Sequence, residues 1–123
     1  MKIKKEETPE LIQNFVCGEV DTDTIIQYWE QEVGFYGKKP VLWNFECCSL
    51  ADVDLENWRK IIPRTAELSS IRKDCRAALL GTKMNIGLLQ IIEVIARNSH
   101  HPVEVKAFTN LEEAKRWLFE HEK

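Results

Sequence analysis

The sequence predicts an α/β domain, with a mixed, mainly parallel sheet of four to five strands covered by about four helices. Three observations predict it. Short apolar runs recur along the chain, segments with helical spacing separate them, and no internal repeat, low-complexity tract or linker interrupts the alternation. The 123 residues suit one domain, residues 1–123, built on one core.

Leu11, Ile12, Gln13, Asn14, Phe15, Val16 and Cys17 read as a strand ending at Gly18. Asp21 or Thr22 can cap a helix whose Ile25, Ile26, Trp29, Val33 and Tyr36 keep helical spacing, and Gly37 stops it. After Pro40, Val41-Leu42-Trp43-Asn44-Phe45 is a second strand, buried on at least one face. Asp54 is a good cap for a helix through Leu55, Trp58, Ile61 and Ile62, and Pro63 must kink that helix or open a second one.

Arg76-Ala77-Ala78-Leu79-Leu80-Gly81, a short apolar run bounded by charge and glycine, reads as a central strand covered on both faces. A helix follows over 85–97. Val103, Val105 and Ala107 then alternate with Glu104 and Lys106, as in a strand with one wet face. The last helix buries Leu111, Ala114, Trp117 and Leu118, with Asn110 as its N-cap and Glu113 in capping-box register.

A composition of 44% hydrophobic and 30% charged residues is that of a globular chain, and the net charge of −3 argues against nucleic acid as a partner. From Glu56 to Lys83, however, seven basic residues (Arg59, Lys60, Arg64, Arg72, Lys73, Arg76, Lys83) face three acidic ones (Glu56, Glu67, Asp74). A solvated helix face explains that bias, and contact with anionic headgroups or an acidic partner is the alternative. The N-terminal residues carry no apolar signal segment, and no apolar run approaches the roughly 20 residues of a membrane span. Cys17, Cys47, Cys48 and Cys75 therefore read as free thiols in a reducing cytoplasm.

Three stretches carry a family likeness. They are Gly18-Glu19-Val20-Asp21, the run Arg76-Ala77-Ala78-Leu79-Leu80-Gly81, and the closing Phe108-x4-Glu113-Ala114-x2-Trp117-Leu118. In their order and spacing the chain resembles the SpoIIAA-like branch of the STAS superfamily, related to anti-sigma factor antagonists. The resemblance covers nearly everything from Leu11 onward. It implies a STAS-like fold without catalysis, and one of two tasks: holding a small apolar ligand with transient membrane contact, or acting as a regulatory protein-interaction module. Phosphorylation-switched STAS proteins carry an Asp-Ser-Ser-Gly pattern at the switch helix. Its first three positions fall on Asp52, Val53 and Asp54 and its glycine on Leu55, so the phosphoacceptor has no hydroxyl. Asp54 is then a mimic of phosphoserine or simply a helix cap.

No residue pattern points to an enzyme, a metal or a cofactor. Cys47-Cys48 lacks the two-residue spacer of a redox motif, and adjacent strand residues face opposite ways. His100-His101 precedes Pro102 without ligand spacing and reads as a polar loop. There is no Gly-x-Ser-x-Gly elbow, and Gly81-Thr82-Lys83 lacks the upstream glycine of a phosphate-binding loop.

The 85–97 helix departs from an ordinary amphipathic pattern. Gln90, Glu93 and Arg97 form a narrow polar stripe, and the apolar arc spans roughly 220°, about twice the usual width. The surplus must meet another helix, a second subunit in a homodimer, an apolar ligand or a bilayer. The expected ligand site lies between this helix, through Leu88, Leu89 and Ile92, and the region of Trp43, Trp58 and Ile62.

Overall fold

The computed structural model describes residues 1–50 and 55–120. Among them five strands and four α-helices run in the order β1 (Lys2–Glu7), β2 (Ile12–Glu19), α1 (Thr22–Glu32), β3 (Val41–Ser49), α2 (Leu55–Leu68), β4 (Arg76–Leu80), α3 (Ile86–Asn98), β5 (Glu104–Phe108) and α4 (Leu111–Glu120). The strands form one sheet in chain order, β1 to β5. β1 pairs antiparallel with β2, and every later pair is parallel.

β1 was not expected as a strand. Its Lys-Ile-Lys-Lys-Glu-Glu sequence has almost no apolar face, and it exists through backbone pairing with β2, from Lys2↔Cys17 to Glu7↔Ile12. Charge on such an edge discourages pairing with another chain. β4 is interior, and Ala77, Ala78, Leu79 and Leu80 are all buried, but the middle of the sheet is β3.

Side-chain alternation divides the core in two. Val41, Trp43, Phe45 and Leu79 point to the face where α1, α2 and α3 lie, whereas Leu42, Ala78 and Leu80 point to the opposite face with Leu11 and the α4 residues Ala114 and Leu118. Right-handed crossovers between successive parallel neighbours place three helices on one side. α4 leads into no described strand, and it lies against β3, β4 and β5 on the other side.

Local signals act as their chemistry requires. The Asp21 side chain accepts the Asp23 N–H at the start of α1, and Asn110 Oδ1 accepts the Glu113 N–H at the start of α4. α2 continues as one helix through Pro63, so no second helix opens there. Thr65 Oγ1 donates to the Ile62 carbonyl within that segment. Asn85 accepts the Thr82 N–H and donates to the Phe45 carbonyl, tying the start of α3 to β3. A Cβ at the buried Gly81 would collide with Asn85 and Leu89, so only glycine lets α3 approach this closely.

Candidate functional site

The sheet and its three-helix layer line a partly open cavity of about 90 Å³. Its floor is Trp43 and Phe45 from β3, Ala77 and Leu79 from β4 and Val105 from β5. The period of two in each strand aims these residues at the same face. Ile25 and Trp29 of α1 close one side, and Trp58, Ile62 and Thr65, on one face of α2, close another. Ile92 and Ala96 of α3, with His101 and Val103 from the loop before β5, complete the wall.

The aromatic residues hold one another in place. The Trp43 ring lies 5.8 Å from Trp29, meets Tyr28 edge-on at 5.9 Å and stacks on Phe45 at 6.3 Å. Behind them Tyr28 Oη donates to Asn14 Oδ1, Asn14 Nδ2 donates to Tyr36 Oη, and Tyr36 Oη donates back to Tyr28 Oη. This closed ring satisfies the fully buried Asn14 amide, and burial raises the pKa of both phenols.

Two polar side chains reach the wall. Thr65 Oγ1 uses its proton on the Ile62 carbonyl, so it accepts from His101 Nε2 at 3.0 Å. His101 Nδ1 in turn accepts the Val103 N–H at 3.1 Å. These bonds define a neutral Nε2–H imidazole. Burial, and then the nearby positive charge of Arg72, push its pKa down to about 4. His101 is thus a fixed wall residue, and only His100 suits the description of a polar loop.

Trp58 presents the opposite case. Its indole N–H is buried and has no hydrogen-bond partner among the described residues, whereas Trp29 Nε1 donates to Ser69 Oγ. Leaving a buried donor unpaired costs about 1–3 kcal/mol.

Of the residues expected at a ligand site, Trp43, Trp58, Ile62 and Ile92 meet at the cavity. Leu88 and Leu89 do not line it: Leu89 is fully buried in the core and Leu88 packs against that core. The helical wheel gave the width of the apolar arc but not its rotation. Thr65 and His101 were missed because only the docking of α2 against the loop before β5 makes them neighbours. Asp52, Val53 and Asp54 lie outside the described residues.

The surplus apolar surface of α3 is real. Leu89, Ile92 and Ala96 turn inward, while Ile91 and Val94 remain 43% exposed. With Ile95 and Arg59 they line an open groove between α2 and α3. The basic stretch is dispersed, however. Arg72 is buried under Tyr36, Arg64 pairs with Glu30 and Glu67, and Arg76 pairs with Glu104 and stacks on Trp117 on the α4 side. Among the described residues no group of three or more His, Cys, Asp or Glu side chains could hold a metal ion, and no helix is long and apolar enough to cross a membrane. No family model matches the chain, and no curated protein matches it.

Proposed function

We propose that this chain is a non-catalytic binding domain of SpoIIAA-like architecture that encloses a compact apolar ligand between its sheet and the layer of α1–α3. The lining of the cavity carries this reading: hydrocarbon and aromatic surface from three helices and three strands, with the polar groups of Thr65 and His101 already bonded to each other. A sheet in chain order with crossover helices on one face is compatible with that architecture.

The volume restricts the ligand. A dry cavity of roughly 150 Å³ takes benzene. One of about 90 Å³ suits a smaller group or the end of a short acyl chain, and a whole fatty acid would need the walls to part. Ile91 and Val94 supply apolar surface for transient contact with a bilayer during loading.

Three tryptophans in the wall make binding measurable. Titration with xenon and with short-chain alcohols should change the fluorescence of Trp29, Trp43 and Trp58 saturably. Ala96→Val, which adds volume at the wall, should abolish the response while leaving the circular dichroism spectrum unchanged. A parent protein that gives no saturable signal with either probe, by fluorescence and by methyl NMR shifts of Ile62 and Ile92, would falsify the reading.

A further inference from the structure

We infer that Cys17 and Cys47 form a cross-strand dithiol that exchanges with low-molecular-weight disulfides and closes to an intramolecular disulfide between β2 and β3. Sequence distance hides the pair, and strand register creates it. Cys17 of β2 is the direct partner of Cys47 of β3. The register slips by one residue between Phe15↔Asn44 and Cys17↔Cys47, so a bulge in β3 re-aims the residues beyond Phe45.

The bulge sorts the three thiols of this region. Val16 and Phe45 are core residues on the three-helix face, so alternation sends Cys17 to the opposite face. Beyond the bulge Cys48 packs against the three-helix core, which leaves Cys47 on the side of Cys17. α4 lies against β3, β4 and β5, and Cys17 stays partly exposed and Cys47 exposed. Neighbouring strands lie about 4.8 Å apart, within the Cα separation of roughly 4.4–6.8 Å that a disulfide spans.

The other cysteines are poor competitors. Cys48 donates to the Phe45 carbonyl, and burial pushes its pKa up to about 11. Cys75 is buried on the far side of β3, beside the Lys38 carbonyl. The Cys17 thiol is raised first by its interaction with Cys47, in keeping with two sulfurs that face each other.

The chemistry balances as two exchanges. The exposed Cys47 thiolate attacks one sulfur of a small disulfide such as oxidised glutathione, forming a protein–glutathione disulfide and releasing one glutathione thiolate. Cys17, on losing its proton, attacks the Cys47 sulfur and releases the second glutathione. The protein dithiol is oxidised by two electrons and the small disulfide is reduced to two thiols.

Incubation of the full chain with oxidised glutathione, followed by intact mass and peptide mapping, tests the inference. The protein should lose the mass of two hydrogens and yield a Cys17–Cys47 linked peptide, and Cys48→Ser should behave identically. Cys17→Ser should stop at a glutathione adduct on Cys47, and Cys47→Ser should react at least tenfold more slowly. A wild-type protein that stops at the mixed disulfide, stays unreacted, or links through Cys48 overturns the assignment.

Discussion

His101 behaves as a partly buried structural base, and its cost depends on acidity. Its folded pKa of about 4 lies below the ordinary 6.5, so the unfolded chain binds its proton first as pH falls. Stability from this residue is complete above pH 6.5 and is lost on descending toward pH 4. At about 1.4 kcal/mol per pH unit, the loss approaches about 3 kcal/mol. Urea unfolding at pH 7 and pH 4.5 should show that decline in the parent and a flatter one in His101→Asn. Equal slopes would remove His101 as the cause. Arg72 poses the converse problem. It is fully buried, Nη1 donates to the Gly37 carbonyl at 3.4 Å, and Nε and Nη2 have no partner among the described residues. Stacking 5.6 Å over Tyr36 offsets part of the desolvation, which also lowers its pKa. Arg72→Met should therefore stabilise the fold by about 1 kcal/mol or more in denaturant titrations. A loss of that size instead would reveal a compensating contact.

At the scale of the element, α3 shows what a sequence can and cannot disclose. Its excess of apolar residues is legible, and so are its limits, because spacing and the Asn85 position are local properties. Which residues face inward is a tertiary result, set by the approach that Gly81 permits. Leu89→Lys should accordingly lose about 3 kcal/mol or more of stability, through an unpaired buried charge. Ile91→Lys should stay within about 0.5 kcal/mol of the parent, and paired thermal melts decide the matter. If both variants melt alike, the helix is rotated from the position described. β1 was illegible for the complementary reason: a strand held by its backbone leaves no apolar period to read. Glu93, by contrast, looked like part of a solvated stripe, yet its carboxylate accepts the Ala107 N–H of β5 at 2.7 Å. That bond occupies a donor on the outer edge of the sheet, while Glu93 also pairs with Arg97.

For the whole molecule, the order of the sheet predicts a gradient of protection. β3 and β4 are hydrogen-bonded on both sides and covered on both faces, whereas β1 is an exposed edge. Amide exchange should be slowest at Trp43 and at Ala77 to Leu80, and at least a hundredfold faster at the exchangeable amides of β1. Uniform rates would mean that the sheet opens only as a single unit.

The position of α4 has a consequence during synthesis. Each strand docks beside the one made just before it, so pairing can grow as the chain emerges, with no strand inserted between two earlier ones. Yet Leu11, Leu42, Ala78 and Leu80 are covered by Phe108 at the end of β5 and otherwise by α4, through Leu111, Ala114, Trp117, Leu118 and Phe119. Until α4 leaves the ribosome, the nascent sheet leaves much of one apolar face uncovered. A stall or truncation just before Leu111 would therefore release a sticky, half-covered intermediate rather than a slightly weakened protein.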